Sequence, residues 1–188
     1  MIMESQFKQL HMRYSNLKNL PPLLLKAGYG IHTHIEGQEN VWEDVIKRSF
    51  GRFYSFENFL IPAGGYKPEY ILYVTKDGKE IATAMGTEHK RFPGEGWFRM
   101  VGTVPEARGL GAGKLVCHAV MHSLAARGYD SVVLSTDDER LGAIAMYLSL
   151  GFEPILFDEE HETRWEKVKS QIEDIRYKRV PIQQQYGK

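Results

Sequence analysis

Val104-Pro105-Glu106-Ala107-Arg108-Gly109-Leu110-Gly111-Ala112-Gly113-Lys114-Leu115 is the stretch on which the reading of this chain turns. It follows residues 97–104 (WFRMVGTV), a β-forming run that Pro105 should end because proline has no N–H for a ladder. It precedes residues 113–127, where Leu115, Val116, Ala119, Val120 and Leu124 share one helical face, with Gly128 as the stop. Glycines stand at 109, 111 and 113. Glycine lets a backbone take positive φ and approach a ligand closely. Successive amides in such a turn converge on an anion, and the start of the following helix adds the positive end of its dipole. The expectation is a pyrophosphate or similar polyanion over residues 109–114.

Working outward, residues 69–75 and 80–87 read as a hairpin around Lys76-Asp77-Gly78-Lys79. Upstream, residues 31–34 suggest a strand. Residues 41–49 suggest a helix carrying Trp42, Val45 and Ile46, and residues 54–60 a second short helix before a break at 62–65. Downstream, residues 131–135 (SVVLS) read as a buried strand and 141–150 as a helix ended by Gly151. Residues 152–157 read as an edge strand that tolerates Pro154. Residues 159–176 place Trp165, Val168, Ile172 and Ile175 on one face of an amphipathic helix, expected to pack on the domain itself. Residues 1–20 read as an appendage or short helix, and the tail after Pro181 as disordered. The implied organisation is an appendage (1–27), a central α+β domain (28–158), and a C-terminal helix with tail (159–188).

Two familiar phosphate loops fail on residues. A P-loop read back from Gly113-Lys114 would need glycine where Arg108 stands and a hydroxyl where Leu115 stands. A Gly-x-Gly-x-x-Gly fingerprint meets Lys114 or Val116 at its last position. The segment from Arg108 to Gly113 instead resembles the Arg/Gln-x-x-Gly-x-Gly/Ala loop of GNAT (Gcn5-related) N-acetyltransferases. The run Ala143-Ile144-Ala145-Met146-Tyr147-Leu148-Ser149-Leu150-Gly151-Phe152 is similar to that family's Ala-Ile-x-x-Tyr-x-x-x-Gly-Phe element.

The resemblance implies a mixed, mostly antiparallel sheet flanked by helices, with a splayed pair of central parallel strands at 97–104 and 131–135. It implies acetyl-CoA as co-substrate. Backbone groups of Gly102, Thr103 and Val104 would pair with the pantetheine arm. Arg108, Gly109, Leu110, Gly111, Ala112, Gly113 and Lys114 would hold the pyrophosphate. A strand amide near 101–103 would polarise the thioester carbonyl. Tyr147 would protonate the departing thiolate. Arg140 replaces an asparagine common in relatives, and strand 97–104 has no carboxylate. Glu88 is then the nearest general-base candidate by sequence, followed by His89 and Glu95. The implied activity is N-acetyl transfer to a primary amine of a small molecule or peptide. The competing reading is a non-catalytic acyl-CoA-sensing module of the same fold.

Composition bounds the rest. The chain has 188 residues, with Lys+Arg and Asp+Glu both 24. That balance removes the main electrostatic argument for nucleic-acid or membrane binding. No apolar run approaches ~20 residues, and the N-terminus lacks a signal-peptide core, so a cytoplasmic location is expected. A homodimer through the C-terminal helix is compatible with the pattern. The lone Cys117 reads as a small buried hydrophobe. His118 and His122 share a helix face without a third ligand, so no metal is expected. His32 and His34 share one strand face and read as surface residues, with lining of the acceptor site as the alternative, and Trp42, Trp97 and Tyr73 read as core.

Overall fold

A computed structural model of the chain describes residues 9–60 and 66–179, with side chains described to residue 175. The break expected at 62–65 and the disorder expected after Pro181 lie outside the described residues. The chain divides into two compact units, residues 14–134 and residues 1–13 with 135–188.

In the larger unit the strands are β2 (Tyr29–Thr33), β3 (Ile71–Lys76), β4 (Lys79–Glu88), β5 (Gly96–Thr103) and the start of β6 (Val132–Thr136). They lie side by side in the order β2-β3-β4-β5-β6. The first three ladders are antiparallel and the β5–β6 ladder is parallel. Asp77 and Gly78, both at positive φ, turn β3 into β4, as the Asp-Gly pair predicts.

Helices α1 (Glu39–Phe50) and α3 (Ala112–Ala126) cover opposite faces of this sheet. Successive strand residues point to opposite sides. Met85 packs in a core with Trp42 and Ile46 of α1 and Phe56 of α2 (Phe56–Phe59). The neighbouring Gly86 lies so close to α3 that a Cβ there would meet Val120 Cγ1 at 2.7 Å. Trp42, Tyr73 and Cys117 are buried, as expected. Burial pushes the Cys117 thiol pKa up, which keeps it an inert thiol.

Strand β5 changes face along its length. Gly96 faces α3, where a Cβ would meet Leu124 Cδ1 at 2.8 Å. Gly102, six residues on, faces α1, where a Cβ would meet Ser49 Oγ at 2.9 Å. An even spacing should keep both on one side. The reversal comes from a bulge: Thr83 opposes Gly102 while Met85 opposes Arg99, so β5 carries one extra residue there. Met100 takes φ of 49°, costly for a non-glycine residue, and its side chain packs against the α1 core.

In the smaller unit β1 (Leu10–Tyr14) pairs antiparallel with β7 (Glu153–Ile155). The expected short helix or appendage near the N-terminus is thus a strand over these residues. Leu10, His11 and Met12 are all buried, with His11 edge-on to Phe157 at 5.2 Å. Helix α4 (Leu141–Leu150) has the predicted limits, and α5 (Glu159–Arg179) buries Trp165, Val168 and Ile172. Arg164 grips Asp138 with two bonds of 2.9 and 2.6 Å, holding that carboxyl below its ordinary pKa. No helix among the described residues is long and apolar enough to cross a membrane.

Candidate active site

The parallel ladder between β5 and β6 is short. Gly96 opposes Val132 and Trp97 opposes Val133, and no register partner follows. The bulge at Met100 bends β5 just beyond the last pair, and bulges sharpen local twist. Beyond Trp97 this edge of β5 has no register partner on β6 among the described residues, and a strand edge without a ladder partner can take an extended ligand as an added strand.

The chain leaves β5 through a 3-10 turn at Pro105–Ala107 and enters the glycine loop. Gly109 and Gly111 stand at φ 78° and 88°, and a Cβ at either would touch nothing within 4 Å. Their requirement is conformational, not steric. Gly111 is the N-cap of α3, where no side chain caps the helix. The first helical bond runs from Leu115 N–H to Gly111 O at 2.9 Å. The amides of the first turn therefore have no intrahelical carbonyl to serve. Arg108, Gly109, Leu110, Gly111 and Lys114 are exposed, Gly113 is partly exposed and Ala112 is buried. An uncapped, positively polarised helix start under an open glycine loop suits an anion.

Arg108 has a positional role. Its guanidinium donates to Ser49 O at 2.8 Å, and that carbonyl belongs to the last turn of α1, where positive charge is favoured. Arg48 of α1 pairs with Glu106. Both contacts tie the loop to α1. Gly102 and Val104 are buried and Thr103 partly so, with Gly102 pressed against α1.

Glu88 ends β4 opposite Gly96, at the closed end of the β5–β6 pair. Gly96 precedes Met100 by four positions, about 13 Å along a strand. Glu88 also lies on the α3 face, where it is exposed and accepts a hydrogen bond from Tyr129. Burial and this carboxylate push the Tyr129 phenol up to about 12. Glu95 accepts from Ser131 Oγ at 2.8 Å. His89 stacks on Trp97 at 4.4 Å, and its Nδ1 accepts from the Arg91 amide. Burial, with Arg91 and Arg99 nearby, lowers the His89 pKa and favours the neutral ring.

In the smaller unit, Tyr147 lies on α4 and is 6% exposed. Its surroundings explain the Tyr-x-x-x-Gly-Phe spacing physically. Gly151 takes φ of 95°, its N–H donates to Leu148 O, and the Phe152 N–H donates to Tyr147 O. That is a Schellman closure, and the Tyr147–Phe152 ring contact at 5.8 Å is its apolar clasp. Arg140 pairs with Asp137 at 2.9 Å.

His34, expected at the surface, is buried: it stacks on Phe56 at 4.8 Å and shares a 3.0 Å hydrogen bond with the Tyr73 hydroxyl. Burial lowers its pKa. The His118 and His122 rings lie 4.9 Å apart, and His122 Nε2 is 2.9 Å from Pro21 O. Among the described residues no three His, Cys, Asp or Glu side chains converge as a metal site. Sequence reasoning passed over Arg99, which projects on the α1 face of β5 beside the bulge. An arginine within a strand gives no local sign of its burial.

Comparison with known proteins places these features in context. The family model for the acetyltransferase (GNAT) family matches residues 37–152. The chain is 32% identical over 164 residues to the mycothiol acetyltransferase of Arthrobacter sp. (strain FB24), covering 78% of this chain and 46% of that protein. It is 36% identical over 167 residues to the mycothiol acetyltransferase of Mycobacteroides abscessus, covering 80% of this chain and 54% of the relative. The chain thus spans about half the length of the curated relatives it matches. Among solved structures, a GCN5-related N-acetyltransferase from Sphaerobacter thermophilus superposes with a TM-score of 0.66 at 26% identity, covering 78% of this chain and 48% of that one. The ribosomal-protein-S18-alanine N-acetyltransferase of Escherichia coli shares the fold, with a TM-score of 0.57 at 20% identity over 68% of this chain and 79% of that one. The chain belongs to the acetyltransferase (GNAT) family.

Proposed function

We propose that this chain transfers an acetyl group from acetyl-CoA to a primary amine by direct attack on the thioester. The observation that carries the reading is one local arrangement. A strand freed from its parallel neighbour after two residue pairs leads directly into a glycine loop and an uncapped helix start. The first can take an extended amide-bearing arm and the second a pyrophosphate, and CoA presents both in that order. Gly102, Thr103 and Val104 would meet the arm. Gly109, Leu110, Gly111, Ala112, Gly113 and Lys114 would meet the phosphates, with Arg108 bracing the loop.

In the reaction the neutral amine nitrogen bonds to the thioester carbonyl carbon and the C–S bond breaks. A β5 amide beside the bulge would stabilise the developing oxyanion. Tyr147, by the motif it occupies, would give its phenolic proton to the departing sulfur. The surplus proton on nitrogen would leave through water. Glu88 enters as a distant acceptor of that proton, because it lies on the α3 face and toward the closed end of the strand pair. The absence of a carboxylate on β5 also favours a second reading, an acyl-CoA sensor without turnover.

A thiol-release assay with acetyl-CoA and a panel of amines separates the two. The panel includes amino acids, aminoglycosides, peptides and mycothiol-related amines, since the curated relatives are named mycothiol acetyltransferases. Amine-dependent release of free CoA with N-acetylated product is expected. Tight acetyl-CoA binding with no product from any amine would leave the sensor reading.

A further inference from the structure

The α1 face of β5 carries a cation that the cofactor reading does not use. Arg99 opposes Met85 in the β4–β5 ladder, so both side chains lie on the face covered by α1 and α2. Arg99 is partly buried, and its guanidinium carbon lies 5.5 Å from the Phe59 ring centroid. Phe59 stacks edge-on with Tyr54 at 5.0 Å, and Tyr54 with Phe50 at 6.1 Å. His89 and Trp97 form a stacked pair on the other side, with Arg99 close enough to His89 to depress its protonation. Among the described residues no carboxylate pairs with Arg99, and no hydrogen bond fixes its guanidinium. Other arginines are held: Arg48 by Asp44 and Glu106, Arg108 by Ser49, Arg127 by Gly86, Arg140 by Asp137 and Arg164 by Asp138.

A partly desolvated guanidinium without a counter-charge is unfavourable unless a ligand completes it. Desolvation alone shifts the Arg99 pKa, downward, with no neighbouring carboxylate opposing it. Its place is specific. Arg99 is two residues past the last β5–β6 pair and immediately before the bulge at Met100, where the strand opens. A group bound to Arg99 would sit beside the β5 amides proposed to hold the thioester end of the cofactor. An aromatic surface runs away from it through Phe59 and Tyr54.

We infer that Arg99 is the acceptor-recognition residue of this chain, and that it selects amines bearing a carboxylate, with an apolar side chain laid on Phe59. Arginine presents a planar fork that matches a carboxylate with two parallel hydrogen bonds, which lysine or glutamine cannot reproduce. The inference rests on the acetyl-transfer reading above and assigns the substrate class of that same site.

The test compares matched amines in wild type and Arg99→Gln. Phenylalanine and leucine are each paired with their carboxamides, and kcat/KM for acetyl transfer is measured for all four. The intrinsic difference in amine basicity cancels when the acid-to-amide ratio in wild type is divided by that in the variant. A charge-assisted bidentate contact predicts a double ratio on the order of 10–100, with the amides changing less than about threefold. Arg99→Lys should recover only part of the preference. Acetyl-CoA affinity, measured by calorimetry on the same samples, should be equal in wild type and variant. A double ratio near one, or acetyl-CoA binding with no transfer to either amino acid, would each overturn the assignment of Arg99. Loss of acetyl-CoA binding by the folded wild type would instead overturn the acetyl-transfer reading itself.

Discussion

Replacing Gly111 by alanine isolates the conformation of the glycine loop from its packing. Gly111 stands at φ 88° with nothing within 4 Å of where a Cβ would go. The substitution therefore causes no clash, and its whole cost is the left-handed backbone, about 1–2 kcal/mol for an L-residue. Gly128 provides a matched control at the other end of α3, with φ of 90° and the same open surroundings. Gly128→Ala should lose that full amount of stability, a fall in Tm of about 2–8 °C for a chain of this size, and Gly111→Ala should lose less because its open loop relaxes. Their ligand binding should differ. In Gly111→Ala the strain is relieved by turning the peptide away from positive φ, which also turns the amides at the start of α3. Restoring the binding conformation then costs the part of that ~1–2 kcal/mol which the relaxed loop escaped, so the Kd for acetyl-CoA rises by up to about 5–30-fold. In Gly128→Ala the Kd should stay within twofold. Differential scanning fluorimetry and calorimetric titration read the two quantities separately. Equal acetyl-CoA affinity in the two variants, with Gly111→Ala losing clearly less Tm than Gly128→Ala, would refute the loop as an anion cradle.

Tyr147→Phe keeps the ring that clasps Phe152 and removes only the hydroxyl. Acetyl-CoA affinity should hold while kcat falls about 10²–10⁴-fold, as read by stopped CoA-release assays. Gly102→Ala places a Cβ 2.9 Å from Ser49 Oγ and 3.1 Å from Ile46 Cδ1. Ser49 is held by its 2.6 Å bond to Val45 O, so the variant should lose about 1–3 kcal/mol in urea denaturation. The pH dependence has a definite sign. His34, His89 and His118 all have lowered pKa values in the fold, with burial as the largest cause. The unfolded chain therefore binds more protons just below the ordinary histidine pKa of about 6.5. Stability from these groups is complete above that pH and is lost as pH falls toward the folded values. The urea midpoint should drop between about pH 7 and 5.5, and His34→Gln should flatten that drop.

The parts of this fold legible in the sequence are those whose cause is local. The glycine loop is legible because positive φ has a residue signature at 109 and 111. The limits of α4 are legible because Gly151 and Phe152 complete a helix closure within the same turn. The hairpin at Asp77-Gly78 is legible for the same reason. The features missed have causes far away in the chain. Residues 10–14 look like a polar appendage, yet their burial comes from pairing with β7, which lies near the other end of the sequence. His34 gave no sign of burial because its partners Phe56 and Tyr73 come from other elements. The bulge at Met100 has no residue signature, since methionine at positive φ is held only by the surrounding core. Glu88 is the nearest carboxylate along the chain, and sheet alternation puts it on the α3 face. Arg99 required knowledge of which cations find partners.

The central claim is that the loop at residues 109–114 and the opened edge of β5 together bind an acyl-CoA. Calorimetric titration of the folded protein with acetyl-CoA, alongside CoA and a Gly111→Glu variant, tests it most directly. The account predicts binding with a Kd on the order of micromolar and loss of that binding when a carboxylate is placed in the cradle. A folded wild-type protein that binds neither acetyl-CoA nor CoA, or a Gly111→Glu variant that binds both as well as wild type, would contradict it.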